Sequence, residues 1–152
     1  MTLKKATIED AKMLLDWRND PLTRAQSINT DEIKLADHEA WLKKTLDNSD
    51  RELFVAYEDG VPVGTCRIDR ESNGGESIFE LSWTIAPSAR GKGMGKKMLG
   101  ELINVPKLKG QKLKAVIRPD NLASIKMAEH FSFIRQDGEV RTDGLGEWFR
   151  DN

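Results

Sequence analysis

The chain has 152 residues, with 24 Lys and Arg against 25 Asp and Glu, so its formal net charge is −1. This balance gives no sign of a nucleic-acid or membrane partner, and the single cysteine, Cys66, excludes an internal disulfide bond. No apolar run approaches membrane-spanning length, and the residues after Met1 lack the apolar stretch of a signal peptide. We therefore expect one cytoplasmic domain over residues 1–152. We expect no metal site, because no His, Cys or Asp cluster has the spacing of metal ligands.

The first third of the chain predicts a strand and two helices. Residues 3–6 predict a strand, and the helix after it is predicted to end at the Asn-Asp-Pro sequence of residues 19–21, because the residue before a proline avoids helical conformation. Residues 22–34 have no clean period and predict a loop with a short helical turn. Residues 35–47 predict a second helix, one side of which carries His38, Trp41, Leu42 and Thr45.

The middle of the chain predicts three strands joined by two turns. Residues 52–58 and 61–69 are predicted strands on either side of the turn Asp59-Gly60. Residues 76–86 predict a third strand after the turn at residues 72–75. Alternation along the third strand places Glu80, Ser82 and Thr84 on one face and Phe79, Leu81, Trp83 and Ile85 on the other.

The last third predicts two helices, a strand and a final hairpin. A helix over residues 94–103 is followed by a strand over residues 112–118, and Asn121 caps a second helix that runs to about His130. The final hairpin is predicted from Ile134, Val140, Trp148 and Phe149. The order β-α-α-β-β-β-α-β-α-β-β predicts an α+β fold, with helices flanking a mixed, mostly antiparallel central sheet.

The most informative segment is the glycine-rich sequence at residues 86–97, where a predicted strand leads into a predicted helix. Its glycines alternate with basic residues in the run Arg90, Gly91, Lys92, Gly93, Met94, Gly95, Lys96 and Lys97. Glycines let backbone N–H groups approach a ligand without a Cβ, and a helix N-terminus supplies free donors and partial positive charge. The segment therefore predicts a site for the diphosphate of a cofactor.

Two motifs in this framework resemble those of the GCN5-related N-acetyltransferase (GNAT) superfamily. Its acetyl-CoA signature, Arg/Gln-x-x-Gly-x-Gly/Ala, is entered from a strand and leads into a helix, and Arg90-Gly91-Lys92-Gly93-Met94-Gly95 matches it. Relatives also open the helix after the next strand with Asn-x-x-Ser, which Asn121-Leu122-Ala123-Ser124 matches. The resemblance covers the whole chain and implies an acyltransferase that moves acetyl from acetyl-CoA directly to a primary amine.

The resemblance also implies a set of acetyl-CoA contacts. The loop backbone would hold the diphosphate, with charge added by Arg90 and the neighbouring lysines. In this family the strand before the loop splays open at a bulge, so its backbone pairs with pantetheine and an N–H near Ile85 meets the thioester oxygen. Asn121 would reach the pantetheine arm, cap its helix, or both. The implied cofactor-binding residues are Ile85, Ala86, Arg90, Gly91, Lys92, Gly93, Met94, Gly95, Lys96, Asn121 and Ser124.

Catalysis by such an enzyme needs a general base and a proton donor for the thiolate. Glu80 is the candidate base, because partial burial in the central strand would raise its pKa, and the alternative is a salt-bridged strand residue. Many relatives carry a Tyr as acid, but Ala128 occupies that position and Ser132 replaces the Gly that follows it. Ser124, a water or no residue would then protonate the thiolate. His38 is a further candidate on the substrate side, with packing as the alternative.

Trp17-Arg18-Asn19-Asp20-Pro21 and His38-Glu39-Ala40-Trp41 resemble one branch of the family. That branch acetylates the 4-amino group of UDP-linked amino sugars in pseudaminic-acid-type pathways, and it borders the ribosomal-protein N-terminal acetyltransferases. We therefore expect a small-molecule amine acceptor, such as a nucleotide-linked amino sugar, whose phosphates Arg18 and Arg24 would meet. The tryptophans Trp17, Trp41 and Trp148 are expected in the core, with stacking on the acceptor as the alternative.

Two other functions remain open from the sequence. Acidic residues before and in the second helix, Asp31, Glu32 and Asp37, would suit a peptide ammonium and thus a protein N-terminal acetyltransferase. The missing Tyr would suit a non-catalytic acyl-CoA-binding module. The C-terminal hairpin offers an edge for pairing, so both a monomer and a homodimer are compatible with the sequence.

Overall fold

The centre of the computed structural model, which describes residues 1–137 and 141–152, is a mixed β-sheet. Within those residues the sheet has seven strands in the order β1-β2-β3-β4-β5-β7-β6. β4 and β5 are parallel, and the other neighbouring pairs are antiparallel. The strands are β1 (Thr2–Lys5), β2 (Arg51–Glu58), β3 (Val61–Asn73), β4 (Glu76–Ile85), β5 (Lys112–Ile117), β6 (Ile134–Arg135) and β7 (Gly146–Asp151). The predicted α+β class is confirmed.

Five α-helices occur in the described part of the chain: α1 (Ala11–Asn19), α2 (Pro21–Gln26), α3 (Leu35–Asp47), α4 (Met94–Ile103) and α5 (Leu122–His130). The helix α2 lies in the segment predicted as a loop with a short turn, so the observed order has one helix more than the predicted order. Pro21 starts it at a position that needs no N–H donor, and Asp20 caps it by accepting the Thr23 N–H at 3.1 Å. None of these five helices is long and apolar enough to cross a bilayer.

The helices lie on both faces of the sheet. On one face, α1 and α3 pack through Leu14 and Leu42 against Leu53 and Val55 of β2. On the other face, α4 packs through Met98, Leu99 and Leu102, which are fully shielded from solvent. The same core includes Ile68 of β3 and Leu81 of β4. Because side chains alternate along a strand, β4 presents Glu80, Ser82 and Thr84 to the α1–α3 side. The alternation predicted for β4 therefore places its polar side chains on the side of the sheet that α1 and α3 cover.

The β3–β4 hairpin is longer than predicted. β3 was expected to end at residue 69 but continues to Asn73, which pairs with Glu76. The turn that joins them uses Gly74 and Gly75, whose φ angles are 59° and 88°. Two residues with positive φ match the twist of a hairpin, so the strands stay paired up to the turn.

The C-terminal hairpin is found as predicted where the structure describes it. Ile134 and Arg135 pair with Phe149 and Trp148, and Trp148 is 7% exposed in the core that α4 covers. Val140, the other residue predicted to take part, lies outside the described residues.

Ser132, which follows α5, has a φ of 62° and is therefore in the left-handed region that favours glycine. We expect Ser132→Gly to raise the free energy of unfolding by about 0.5–1 kcal/mol, since it removes Cβ strain but adds entropy to the unfolded chain. Thermal unfolding would show the gain as a rise in Tm of about 2 °C. Ser132→Ala lacks the hydroxyl but keeps the Cβ, so a similar gain in that control would contradict the backbone explanation.

Candidate active site

A gap opens in the sheet between β4 and β5. The two strands pair from Ile78 with Lys112 to Glu80 with Lys114, yet β4 continues to Ile85 and β5 to Ile117. The prediction of a bulge in β4 is wrong, because the register between β3 and β4 is continuous from the turn to Ile85. The strands simply diverge after Glu80, which leaves the backbone edge of β4 without a strand partner beyond that point.

The direction of the β4 backbone groups decides which of them face the gap. The Ala86 N–H donates to the Val63 carbonyl at 2.9 Å, toward β3. Because N–H groups alternate between the two edges of a strand, those of Trp83 and Ile85 point the other way, into the gap. Ile85 therefore suits its predicted contact with a thioester oxygen, whereas the Ala86 N–H is already taken and leaves this residue only packing contacts.

The glycine-rich loop between β4 and α4 is an open cradle of backbone donors. Gly91 and Gly93 both have a φ of 73°, and a Cβ built on either would meet no atom within 4 Å. The first backbone hydrogen bond of α4 joins the Lys97 N–H to the Gly93 carbonyl at 3.3 Å, so the N–H groups of the residues before Lys97 lack a helical acceptor. The residues present therefore fit a diphosphate. The Lys96 side chain is exposed beside them, and Lys92 donates to the Ser88 carbonyl at 3.0 Å.

A variant of this loop tests the cradle. We expect Gly93→Ala to weaken CoA binding about tenfold or more, because a Cβ at this φ strains the loop and occupies the space where the diphosphate would lie. Isothermal titration with CoA would measure the change. Gly110 has the same φ of 73° and the same open surroundings, so Gly110→Ala is the matched control. Equal losses of CoA affinity in the two variants would contradict a phosphate site at Gly93.

Arg90, at the start of the loop, is not free. Its Nη2 lies 2.5 Å from Asp20 Oδ2 and 2.8 Å from Thr23 Oγ1. Both partners belong to the start of α2, which packs on the α1–α3 side of the molecule. The predicted charge contribution of Arg90 to the diphosphate is thus reduced by an ion pair that the sequence reasoning missed. The Asn-Asp-Pro sequence predicted the end of α1, but it gave no sign of a contact between Asp20 and the loop.

Glu80 lies at the point where β4 and β5 separate, among several charged groups. Burial raises the pKa of Glu80, and the charge of Glu71 adds to this, while Lys114 acts in the opposite direction. The Lys114 Nζ lies 3.2 Å from Glu71 and 3.7 Å from Glu147, so this cation is shared with other carboxylates. Asp69 of β3, which lies directly opposite Glu80, is held by Arg51 and Arg67. The arrangement leaves Glu80 suited to take up a proton.

The pH dependence of acetyl transfer should report this environment. We expect Glu71→Gln to lower the pKa of Glu80, because it removes a like charge and frees Lys114 to attract the Glu80 carboxylate. A general base works when deprotonated, so the acid limb of the kcat/KM profile should move to lower pH. Glu76→Gln removes an exposed carboxylate from β4 and should not move it. A shift to higher pH in Glu71→Gln would contradict the base assignment.

Ser124 and Asn121 lie on the other side of the gap, at the start of α5. The Asn121 Oδ1 accepts the Ser124 N–H at 3.2 Å, which is the capping role considered from sequence. The Ser124 Oγ accepts the indole N–H of Trp83 at 3.2 Å, so a hydrogen bond spans from β4 to α5. Since Oγ acts as acceptor there, its own proton remains available to a second partner. Ala128 is fully buried, so the position of the family Tyr contributes only packing.

A cavity of about 320 Å³ lies on the α1–α3 side of β3 and β4. Its walls include Trp17 and Trp41, so these two tryptophans are only partly buried, unlike Trp148. Its floor is formed by Thr65, Cys66, Arg67, Ser82, Trp83 and Thr84. Cys66 is 1% exposed, and burial raises the pKa of its thiol to about 12, so this residue is a core side chain and not a nucleophile.

Two buried side-chain nitrogen atoms of this cavity have no hydrogen-bond partner within the described structure. His38 is 3% exposed and its Nε2 makes no hydrogen bond, and the Nη1 of Arg18 is likewise buried and unpaired. Burial lowers the pKa of His38, with the Ala11 backbone acting in the opposite direction, so the imidazole is neutral near pH 7. Buried groups of this kind are normally satisfied. The lining of the cavity is mostly apolar, and these two nitrogen atoms are the part of it that suits an anion. Arg24, the other candidate for phosphates, instead donates to the Thr30 carbonyl and does not line the cavity.

Comparisons with known proteins agree with this architecture. A family model described as an acetyltransferase (GNAT) domain matches residues 1–134. The chain is 27% identical over 133 residues to acetyltransferase PseH of Campylobacter jejuni subsp. jejuni serotype O:23/36 (strain 81-176). The matched residues cover 85% of this chain and 81% of that protein. The structure of ribosomal-protein-alanine N-acetyltransferase from Brucella melitensis is similar with 27% identity and a TM-score of 0.74, over 98% of this chain and 97% of that one. The aminoglycoside acetyltransferase AAC(6')-Ib, solved with coenzyme A and kanamycin, shares the fold with 23% identity and a TM-score of 0.79, over 99% of this chain and 94% of that one. Among the described residues, no group of three or more His, Cys, Asp and Glu side chains could hold a metal ion.

Proposed function

The chain belongs to the GNAT family of acetyltransferases, and on that premise we propose that it acetylates the primary amine of a small anionic acceptor, such as a nucleotide-linked amino sugar. The protein is an acetyl-CoA-dependent N-acetyltransferase, and the proposal concerns its acceptor and the residues that act on it. One observation carries the proposal. Residues 82–84 of β4 form the floor of the cavity, and the same stretch borders the gap between β4 and β5. A donor in the gap and an acceptor in the cavity would meet at this segment.

The donor is held mainly by backbone. The loop N–H groups up to Lys96 bind the diphosphate, and the free edge of β4 at Trp83 and Ile85 pairs with pantetheine. Asn121 and Ser124 face this edge from α5, where the indole of Trp83 reaches Ser124. Preorganised backbone donors need no reorganisation on binding, which suits a site that must position a flexible co-substrate.

The transfer then proceeds in a direct displacement. Glu80 takes a proton from the acceptor ammonium through a water, and its raised pKa makes it basic enough for that exchange. The free amine attacks the thioester carbon, forming the C–N bond, while the Ile85 N–H donates to the carbonyl oxygen as it gains negative charge. The C–S bond breaks as the attacking nitrogen loses its second proton to solvent and becomes the amide. The thiolate receives a proton from the Ser124 hydroxyl, which solvent restores. No acyl-enzyme forms, because the buried Cys66 thiol stays protonated.

Arg18 and His38 select an anionic acceptor. A phosphate oxygen in the cavity would give the unpaired Arg18 Nη1 its missing acceptor. The same anion would favour protonation of His38, whose Nε2 would then donate a second hydrogen bond. Trp17 and Trp41 offer flat apolar surfaces beside these groups, as an adjoining sugar or base requires.

A peptide N-terminus is the second candidate acceptor. The similarity to the Brucella melitensis ribosomal-protein-alanine N-acetyltransferase supports it. Three exposed carboxylates also support it. Asp31 and Glu32 precede Ile33, which lines the cavity, and Asp37 lies in the first turn of α3. Carboxylates at the surface attract an ammonium group but leave the buried Nη1 atom of Arg18 unpaired. A phosphate-bearing acceptor would pair this atom as well, so we favour it.

Thiol release from acetyl-CoA tests the proposal with four acceptors: a UDP-linked 4-amino sugar, the same sugar without UDP, kanamycin and an alanine-initiated peptide. We expect the UDP-linked sugar to have a kcat/KM about 100-fold higher than the free sugar, since it alone pairs the buried cavity donors. Preferred turnover of the peptide would favour the second candidate. Equal rates with the two sugars would contradict recognition of the anion.

A further inference from the structure

The strongest unexplained contact in the molecule joins the cofactor loop to the acceptor side. The Arg90 guanidinium binds Asp20 at 2.5 Å and Thr23 at 2.8 Å, across 70 and 67 residues of sequence. The side chains of Arg90 and Asp20 are 32% and 19% exposed, and Thr23 is buried. A charge-assisted hydrogen bond that is this shielded is stronger than a surface ion pair.

The carboxylate of Asp20 serves two structures at once. The same Oδ2 that binds Arg90 accepts the Thr23 N–H at 3.1 Å and thereby caps α2. The hydrogen bond from Arg90 is the main reason that the pKa of Asp20 is below its usual range, so the carboxylate stays charged at neutral pH. Any displacement of the loop at Arg90 therefore pulls on the first turn of α2.

From α2 the connection continues into the wall of the cavity. Asn19, next to Asp20, makes two hydrogen bonds with the backbone of Ile33. Its side-chain amide accepts the Ile33 N–H and donates to the Ile33 carbonyl, both at 2.8 Å. Arg18 donates to the Asn29 carbonyl. Arg18, Asn29 and Ile33 all line the cavity. The segment that forms this wall is thus held by Arg18 and Asn19, which directly precede Asp20, the residue that binds Arg90.

We propose that Asp20 and Thr23 are positioning residues that, through Arg90, couple occupancy of the acetyl-CoA loop to the order of the acceptor cavity wall. The inference rests on the cofactor site proposed above but not on the identity of the acceptor. Coenzyme bound at the loop fixes Arg90, which fixes the start of α2 and the segment up to Ile33. Because such coupling is reciprocal, acceptor binding in turn strengthens coenzyme binding.

Hydrogen–deuterium exchange with CoA alone tests the coupling. In the wild-type protein, CoA should slow exchange in residues 91–97, where it binds, and also at least about fivefold in residues 21–33. In Asp20→Asn, protection of residues 91–97 should remain and that of residues 21–33 should be lost. Asn is itself a good N-cap, so this variant keeps the cap of α2 while it loses the ion pair. Asp16→Asn, a change of the same kind at an exposed residue of α1, should behave as wild type.

Each outcome separates the coupling from the site on which it rests. If CoA fails to slow exchange in residues 91–97 of the wild type, the loop assignment is wrong and the coupling falls with it. If residues 91–97 are protected but residues 21–33 are not, or if Asp20→Asn keeps both, the coupling alone is wrong. Thr23→Ala provides a second variant that removes the other contact of Arg90, and it should reduce protection of residues 21–33 in the same way.

Kinetics distinguish coupling from a general loss of structure. With an acceptor that turns over, Asp20→Asn should raise the KM for the amine about tenfold and leave the kcat within about twofold of wild type. A variant that only destabilised the fold would lose active protein and so lower the apparent kcat without moving either KM. That pattern would overturn the positioning role of Asp20.

Discussion

Glu80→Gln is expected to lower kcat/KM for acetyl transfer by about 10²–10³-fold without changing the affinity for CoA. The amide keeps the size of the side chain but has no basic oxygen. Glu80 lies where β4 and β5 separate, and its burial beside Glu71 raises its pKa. The residue is therefore able to accept the ammonium proton, and no other carboxylate of β4 occupies an equivalent place on the cavity side.

Rates with acetyl-CoA and titrations with CoA would measure the two effects separately. Glu71→Gln is the matched control, because Glu71 is a neighbouring carboxylate that shares Lys114 but is placed one strand away. At a pH on the plateau of the profile, this control should keep near-wild-type kcat. Wild-type turnover by Glu80→Gln would show that the carboxylate is a structural residue of the strand, which is the alternative that the sequence leaves open.

Arg18→Met is expected to raise the KM for the acceptor by about 10- to 100-fold while the KM for acetyl-CoA stays the same. Methionine fills much of the volume of the aliphatic part of arginine but offers no donor to an anion. The loss should appear only with acceptors that carry phosphate. Turnover of an amine without a phosphate should be unchanged, since such an acceptor brings no anion to pair with Nη1 in the wild-type protein.

Arg24→Met provides the control for this result. Arg24 resembles Arg18 in that it donates to a backbone carbonyl of the same segment, at Thr30, but it does not line the cavity. An equal rise in acceptor KM in both variants would mean that the segment after α2 was merely loosened. A rise confined to Arg18→Met would support direct contact with the anion.

The cofactor loop was predictable from sequence because its chemistry is local. Gly91 and Gly93 adopt the positive φ angles that only glycine takes easily, and the helix that follows begins at Met94 as expected. The alternation of residues along β4 likewise assigns Glu80 to the same face as Ser82 and Thr84, which is the face that carries the cavity. These features depend on neighbours within a few residues, so a pattern in the chain is enough to identify them.

The acceptor cavity depends on distant packing, and the sequence indicated only its parts. Arg18 and His38 were separate candidates, one for phosphates and one for catalysis, and they meet because α1 and α3 pack against each other on the same face of the sheet. The pairing of Asp20 with Arg90 spans 70 residues and had no local signal. The opening of the sheet was expected at a bulge, but it arises where two strands of continuous register diverge.

A crystal structure of the protein with CoA and UDP is the most direct test of the central claim, that donor and acceptor meet at residues 82–84 of β4. The account predicts the CoA diphosphate on the N–H groups of residues 91–96 and pantetheine along Trp83 and Ile85. It also predicts the thiol directed toward the cavity and the UDP phosphates on Arg18. A thiol on the α4 side of the sheet, or UDP bound away from Arg18 and His38, would contradict it.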